Sequence, residues 1–201
     1  MRALDLFCGA GGASMGLHRA GYDVTGVDIR PQKNYPFTFV QGDAMNPPFD
    51  IGGFDLVWAS PPCQDHVRSP GPAPKHGTGY MLDGIRQMLL GTKTAWVIEN
   101  VPGAPMRIDY RLCGCQFGLS KLRRQRWFET SWRGFSLIPP CRHTEPAISV
   151  TGTGTPTGTW KIYGSLPLSA FREAMGIDWM SRAELSQAIP PAYSEFIARA
   201  A

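Results

Sequence analysis

Short apolar runs recur along the first half of the chain, and segments of helical or mixed character separate them. The apolar runs occupy residues 2–7, 23–28, 37–43, 54–60 and 94–101. Between them, residues 13–20 and 81–90 have the pattern of helices packed on a sheet. Because parallel strands need long crossover connections, this alternation predicts an α/β fold, Rossmann-like and doubly wound, with a mostly parallel sheet.

Length and charge limit the classes of protein. The chain has 201 residues, of which 43% are hydrophobic, enough for one α/β domain with a small additional lobe. The net charge of +4 permits a nucleic-acid partner without requiring one. Basic residues concentrate in residues 121–126, and this segment either faces phosphates or is a solvated surface.

The sequence shows no membrane or secretory segment. No apolar run approaches the roughly 18 residues of a membrane span, and the N-terminus is typical of a strand rather than of a signal peptide. The five cysteines are an odd number, which favours free thiols in a reducing compartment. We therefore expect a cytoplasmic protein, in a bacterial cell or a virus-infected host cell, with no membrane partner and by default a monomer.

Three segments are expected along the chain. Residues 1–130 hold the strand and helix pattern. Residues 131–165 have scattered aromatic residues and the Gly/Thr-rich run TGTGTPTGT, and predict a small irregular lobe. That run either contacts a ligand's phosphates through backbone amides or is a plain connector. Residues 166–201 return to helical patterns.

A glycine turn follows the first predicted strand in LDLFCGAGG. A strand, a glycine turn and a helix bring backbone close to a nucleotide cofactor in α/β folds. Asp28 and Asp43 end the next two strands, where a carboxylate can bind a ribose. The spacing differs from the dinucleotide fingerprint, and no basic residue follows to bind a pyrophosphate. This favours S-adenosylmethionine over NAD, although the glycines could serve packing alone.

A thiol and a carboxylate follow two other predicted strands. Cys63 comes after the double proline of SPPC, which fixes φ at two successive positions. Glu99 ends the fifth strand in an apolar run, where burial raises the pKa of a carboxyl. Ligands bind outside the carboxyl ends of parallel strands, so the two groups could face one crevice and add to a polarised double bond. The alternatives are an inert buried cysteine and a helix-capping glutamate.

Two arginines alternate in LRRQRWFE. On an extended segment Arg124 and Arg126 point to the same face. Paired guanidinium groups suit a carbonyl or phosphate oxygen, and a surface charge run is the alternative.

Three further cysteines and a histidine form two close pairs, Cys113 with Cys115 and Cys141 with His143. Four such ligands could hold zinc and stabilise a lobe that lacks a core. They could equally be core thiols and a surface imidazole, and we assign no metal ligand from the sequence.

Taken in order, these motifs resemble those of the cytosine-C5 DNA methyltransferase family. The matching stretches run from residue 4 to residue 198, and they are LDLFCGAGG, VDI, GDA, SPPCQ, IENV, RRQR and the closing QAIPPAYSEFIA. The resemblance implies a class I methyltransferase sheet, S-adenosyl-L-methionine as cofactor and double-stranded DNA as partner. It also implies a catalytic domain in residues 1–130, a target-recognition lobe in residues 131–165, and returning C-terminal helices in residues 166–201.

The resemblance also assigns roles to residues. Cys63 would attack C6 of a flipped-out cytosine, Glu99 would contact N3 and the amine, and Arg126 with Arg124 would hold O2. Phe7 would pack on the adenine, Asp28 would bind the ribose, and Asp43 the adenine amino group. The remaining expected cofactor contacts are Cys8, Gly9, Ala10, Gly11, Gly12, Ile29, Ala44, Pro62 and Ala188.

The chain departs from the family pattern in places. Leu122 replaces the leading glutamine of the arginine motif, and Ser186 and Gln187 replace the usual Gly-Asn, which bears on the cofactor pocket. The lobe is short, so we expect a short or relaxed target sequence. The same chemistry on tRNA and an inactive DNA-binding relative are the alternative functions.

Overall fold

A seven-stranded sheet carries the site. The computed structural model describes residues 1–63, 79–132, 138–152 and 155–201. The strands are β1 (Arg2–Leu6), β2 (Asp23–Asp28), β3 (Thr38–Gln41), β4 (Leu56–Ala59), β5 (Ala95–Asn100), β6 (Tyr110–Leu112) and β7 (Arg126–Thr130). Their order across the sheet is β3-β2-β1-β4-β5-β7-β6. The first five are parallel, and β7 runs antiparallel to both β5 and β6.

The predicted α/β class, with its mostly parallel sheet, is confirmed. All five apolar runs form strands, and their neighbours are those of a doubly wound sheet. Chain order reverses between β1 and β4, because β2 and β3 lie on one side of this pair and β5 on the other. The carboxyl ends of β1 and β4 therefore flank the crevice in which such sheets bind ligands.

Six helices occur in the described residues. They are α1 (Gly12–Arg19), α2 (Tyr80–Leu90), α3 (Thr157–Tyr163), α4 (Leu168–Met175), α5 (Arg182–Gln187) and α6 (Pro191–Ala198). Two 3-10 turns, Ile51–Gly53 and Gly114–Phe117, complete the regular structure. Residues 65–79 carry three prolines and three glycines, which predicts a loop, and apart from Gly79 they lie outside the described residues. No helix of the described part is both long and apolar enough to cross a membrane.

The sequence pattern does not predict β6, β7 or α3. β6 is three residues long, and its middle residue Arg111 is exposed, so no apolar run marks it. β7 begins at Arg126, inside a basic stretch. α3 begins directly after Pro156 in a Thr/Gly-rich run of low helix propensity.

Two hydrophobic layers cover the sheet, and β4 shows how. Leu56 and Trp58 face the layer formed with α1 and α6. Val57 and Ala59 face the layer formed with α2. Alternate side chains of a strand point to opposite faces, so a continuous apolar run is what a strand covered on both sides requires. Each fully buried leucine in these layers contributes about 1.5–3 kcal/mol.

The C-terminal helix α6 packs closely on α1. A Cβ at Gly16 would overlap the Pro191 carbonyl oxygen and the Ser194 hydroxyl, so only glycine fits there. The Ser194 hydroxyl donates to the carbonyl oxygen of Ala13 over 2.8 Å. The last helix is thus fixed to the helix that follows the glycine turn.

Candidate active site

The glycine turn after β1 has a backbone that few side chains tolerate. Phe7 has φ of 60°, and Gly9 and Gly11 have φ of 50° and 85°. The Gly9 N–H donates to Oδ2 of Asp28 over 3.0 Å, and the Arg30 N–H donates to Oδ1 over 2.9 Å. The turn and the end of β2 therefore form one hydrogen-bonded unit.

Buried Asp5 lies in β1 beneath this turn. It is fully buried, and it accepts a hydrogen bond from the Ser14 hydroxyl at the start of α1. Burial raises the pKa of the Asp5 carboxyl to about 7. Sequence reasoning missed this residue, although an acid at the centre of a fully apolar strand was the available signal.

The predicted cofactor residues have room for a ligand. A Cβ added at Gly9 would meet no atom within 4 Å. Ile29 follows Asp28 and is 65% exposed, an unusual state for an isoleucine beside a strand end. Asp43 is exposed, and its Oδ1 accepts the Met45 N–H over 2.9 Å. An open glycine cradle, an exposed apolar face and two carboxylates fit an adenosine group.

The C-terminal segment supports the same turn from the other side. The indole N–H of Trp179 donates to the Ala10 carbonyl over 2.9 Å. A Cβ at Gly12 would overlap the carbonyl oxygen of Ile189 and lie 3.2 Å from the Ala188 Cβ. Ala188 is thus packed against the turn, with Cys8 and Ala10 also buried.

Cys63 lies on a short segment that two neighbouring strands hold. The Ser60 N–H donates to the Leu6 carbonyl over 3.2 Å, which continues the pairing of β4 with β1. The buried Asn100 side chain donates to the Pro61 carbonyl over 3.1 Å and accepts the Val101 N–H over 2.9 Å. Sequence reasoning gave Asn100 no role. Its position directly after Glu99 at the end of an apolar strand was the signal.

Glu99 and Arg126 form a buried ion pair beside Cys63. Nε of Arg126 lies 2.9 Å from Oε1 of Glu99, and their side chains are 13% and 6% exposed. The two charges are in contact without the alignment of a hydrogen bond. Antiparallel pairing of β5 with β7, in which Glu99 is opposite Phe128, brings the two residues together.

Burial controls the protonation of both reactive groups. Burial raises the pKa of the Glu99 carboxyl, and the charges of Arg126 and Arg124 partly oppose this. Burial and the Glu99 charge also raise the pKa of the Cys63 thiol, with Arg126 again opposing. The Cys63 thiol is therefore ionised to a smaller extent at neutral pH than an ordinary cysteine.

Arg124 makes different contacts from Arg126. Its terminal nitrogens donate to the Val150 carbonyl over 3.0 Å and the Ser186 carbonyl over 2.7 Å. Burial lowers the pKa of Arg124 to about 9, which leaves it charged at neutral pH. The residue connects residues 138–152 and α5 to the segment before β7. That Arg124 helps Arg126 to hold O2 of the base, as the family resemblance implies, stays a prediction.

A cavity of about 650 Å³ opens at this end of the sheet. Cys63 and Arg126 line it, and residues 147–151 of the lobe form one wall, with Gln187 beside them.

Leu122, which replaces the motif's glutamine, is 1% exposed and packs with Ile148 and Val150. Leu122 therefore makes apolar contacts at the position where the family motif has a glutamine.

A second hollow, of about 810 Å³, lies at the opposite end of the strands. Phe54, Asp55 and Ala95, at the starts of β4 and β5, belong to its wall. None of the predicted site residues lines it. Since ligands of parallel sheets bind at the carboxyl ends of the strands, the smaller cavity is the candidate site.

Comparison with known proteins agrees with this geometry. A family model described as a methyltransferase domain matches residues 4–71, which include the glycine turn and Cys63. An uncharacterized methyltransferase of Synechocystis is 42% identical, over 29% of this chain and 31% of that protein. Type II methyltransferase M.HgiDI of Herpetosiphon aurantiacus is 28% identical, over 56% of this chain and 41% of that protein. The chain thus matches less than half the length of these curated relatives.

A solved structure extends the likeness to the whole fold. The S. pombe Dnmt2 methyltransferase superposes with a TM-score of 0.63 and 14% identity, covering 98% of this chain and 97% of that chain. At this identity the likeness establishes the fold alone. The fold is therefore that of the class I methyltransferases, residues 4–71 match a methyltransferase domain, and these findings support S-adenosyl-L-methionine as the cofactor.

Proposed function

We propose that this protein transfers a methyl group to C5 of cytosine in DNA through a covalent adduct between Cys63 and C6 of the base. The observation that carries the proposal is the meeting of Cys63 with the buried Glu99–Arg126 pair at the end of the sheet where the glycine turn lies. A methyltransferase whose substrate atom is already nucleophilic would need neither the thiol nor the buried carboxylate.

Addition of Cys63 to C6 makes C5 of the cytosine, otherwise an unreactive carbon, nucleophilic. The thiolate adds to C6, the new sulfur–carbon bond forms, and the electron pair of the C5=C6 bond moves toward C5. S-adenosyl-L-methionine would supply the methyl group as an electrophile to C5, and the broken sulfur–methyl bond would leave S-adenosylhomocysteine. Loss of the C5 proton then restores the double bond and expels the Cys63 thiolate.

Glu99 and Arg126 compensate the charge that develops in the ring. Burial keeps the Glu99 carboxyl protonated to higher pH than usual, so it can donate to N3 as the thiolate adds. Arg126 lines the cavity and can hold O2 of the base with the guanidinium hydrogens that Glu99 does not take. Arg124, whose terminal nitrogens are bound to two carbonyls, acts as a positioning residue.

The cofactor would lie on the glycine turn. Phe7 and Ile29 offer apolar surface to the adenine, and Asp28 keeps free lone pairs for the ribose hydroxyls. Asp43 is exposed at the end of β3, where it can accept from the adenine amino group. Pro62, directly before Cys63 on the segment after β4, is a further cofactor contact that the family resemblance implies.

DNA is the favoured substrate. The relative M.HgiDI is named a type II methyltransferase, which supports DNA. Lys121 and Arg123 are exposed, and Arg123 lines the cavity, so a phosphate-binding surface at this end is available. C6 cannot be reached inside a stacked duplex, so the cytosine must be flipped out.

Trapping the adduct tests the proposal. We expect the protein, mixed with S-adenosyl-L-methionine and duplex DNA carrying 5-fluorocytosine at all cytosines, to give a complex that survives denaturation, because fluorine cannot leave as a proton does. Uniform substitution makes knowledge of the target sequence unnecessary. Cys63→Ala should give no complex, and S-adenosylhomocysteine in place of the cofactor should give no persistent one.

Two other outcomes would contradict the proposal, and each would indicate a different function. Transfer of labelled methyl to tRNA but not to DNA would indicate the same chemistry on RNA. Binding of DNA with no transfer to any cytosine substrate would indicate an inactive relative.

A further inference from the structure

Three thiols and an imidazole converge away from the proposed active site. They belong to Cys113, Cys115, Cys141 and His143, and their ligand atoms all lie within 4.8 Å of one another. Nε2 of His143 is 3.0 Å from Sγ of Cys141, 3.4 Å from that of Cys113 and 3.7 Å from that of Cys115. The sulfurs of Cys115 and Cys141 are 3.3 Å apart.

We propose that these four side chains bind one structural zinc ion. With zinc–sulfur bonds of about 2.3 Å and zinc–nitrogen bonds of about 2.0 Å, the ligand atoms of a tetrahedral site are roughly 3.3–3.8 Å apart. The observed spacings are close to that range. Three cysteines and one histidine are also a usual closed ligand set for zinc, with no position left open for catalysis.

The alternative of core thiols does not fit the burial of these residues. Only Cys113 is buried; Cys115 and His143 are half-buried, and Cys141 is exposed. Apolar packing therefore cannot be what collects them. Thiols can donate hydrogen bonds within this cluster, but sulfur is a weak donor, so a cation bound to all four ligands stabilises the cluster more strongly.

The local backbone explains how Cys113 and Cys115, with only one residue between them, can bind the same ion. Cys113 is extended, with φ of −142°, and a 3-10 turn begins at the next residue. Gly114 is needed in that turn because a Cβ there would lie 2.6 Å from both Cβ and the carbonyl oxygen of Leu122. The change from extended to 3-10 backbone directs the two thiols to the same side.

The ion would fix the lobe to the sheet. Cys113 and Cys115 follow β6, whereas Cys141 and His143 lie in residues 138–150, which contain no helix or strand. Beyond His143 this segment forms the wall of the candidate cavity, and its Val150 carbonyl accepts from Arg124. A structural ion four residues before Ala147 would thus hold the substrate-facing wall in place.

Metal content and cobalt spectra test the site. We expect one zinc per chain in the full-length protein after gel filtration, measured by mass spectrometry of the metal. Cys115→Ser and Cys141→Ser should each lose most of it, His143→Cys should keep it because four cysteines also hold zinc, and Cys63→Ser should keep it as the control. Cobalt(II) added to metal-free wild type should give thiolate charge-transfer and tetrahedral visible bands, a readout that does not depend on the folding of any variant.

The consequence for the lobe has its own measurement. Removal of zinc by a chelator should increase hydrogen exchange in residues 147–150 and leave β5 unchanged. A wild-type protein that holds far less than one zinc per chain and shows no cobalt bands would overturn the proposal. So would a Cys115–Cys141 disulfide found in the non-reduced protein, or unchanged exchange in residues 147–150 after the zinc has been removed.

Discussion

The Cys63 thiol must become a thiolate in surroundings that disfavour charge. Burial raises its pKa, the Glu99 carboxylate raises it further, and Arg126 opposes them without reversing the sign. The reactive form is therefore scarce in the free protein. A base whose N3 accepts a hydrogen bond from Glu99 favours the protonated, neutral carboxyl, so the largest charge that opposes the thiolate is absent while the base is bound. Activation of the nucleophile is in this way coupled to binding of the base.

Replacing Glu99 by glutamine tests that coupling. We expect the Glu99→Gln variant to react faster with iodoacetamide at Cys63 at a fixed pH below the thiol's pKa. The reason is that each unit by which the pKa falls gives about ten times more thiolate there. Peptide mass spectrometry separates Cys63 from the other four cysteines. In wild type the rate should still be rising with pH where an ordinary cysteine is fully ionised.

Removal of an exposed carboxylate is the control for this measurement. Glu173→Gln, on the outer face of α4, should not change the alkylation rate at Cys63. If Glu99→Gln left the rate unchanged as well, or slowed it, Glu99 would not be the charge that restrains the thiol.

The arginine pair shows what sequence could and could not predict about single residues. Alternation along LRRQRWFE indicates only that Arg124 and Arg126 would share a face if the segment were extended, and β7 begins at Arg126. It cannot show that Arg124 meets the Val150 and Ser186 carbonyls, since both lie far away along the chain. Contacts between distant segments, rather than local pattern, decide which guanidinium is free to bind a substrate.

At the scale of elements, the end of β5 positions the segment that carries Cys63. Prolines at 61 and 62 fix φ, but they do not determine where the segment lies relative to the sheet. Asn100 does so by donating to the Pro61 carbonyl from the neighbouring strand. Glu99 and Asn100 are adjacent in β5, so one strand end supplies both the proposed proton donor and the support for the nucleophile.

Loss of the Asn100 side chain should displace the nucleophile. Asn100→Ala leaves the buried carbonyl of Pro61 and the Val101 N–H without partners, at a cost of about 1–3 kcal/mol for each group. We expect a lower melting temperature by circular dichroism and a larger relative loss of adduct formation with 5-fluorocytosine DNA. Asn46→Ala, at an exposed position, should change neither quantity. Equal adduct formation in Asn100→Ala and wild type would show that the prolines alone hold Cys63.

Strands were predictable from the sequence where both faces of the sheet are buried, because such strands require apolar residues. β1, β4 and β5 are buried and mostly apolar runs because helices cover both sides of the sheet there. β6 and β7 lie at one edge of the sheet, where Arg111 and Arg126 break any such run. Their place in the sheet depends on the antiparallel pairing of β7 with β5 and of β6 with β7, which no local signal encodes.

At the scale of the whole molecule, the C-terminal segment packs against α1 and the glycine turn near the start of the chain. α6 lies against α1, Trp179 donates to the Ala10 carbonyl, and Ala188 packs beside Gly12. Residues at the end of the chain therefore hold the glycine turn near its beginning, and the cofactor-binding surface is complete only when both ends have folded. We infer that stability of the C-terminal segment and affinity for the cofactor are linked.

The Gly16→Ala substitution tests this link. The added Cβ would overlap the Pro191 carbonyl oxygen and the Ser194 hydroxyl, so α6 must move away from α1. Overpacking of this kind costs about 1–3 kcal/mol, only partly offset by the better helix propensity of alanine. In thermal unfolding we expect a lower melting temperature, and in calorimetry weaker binding of S-adenosylhomocysteine at a temperature where the variant is still folded. Gly158→Ala in α3, where a Cβ meets no atom within 4 Å, is the matched control and should be neutral or slightly stabilising.

A destabilised Gly16→Ala protein that binds S-adenosylhomocysteine as tightly as wild type would contradict the link. It would show that the contact between α1 and α6 does not affect the glycine turn, and that Ala188 and Trp179 are sufficient to hold the turn.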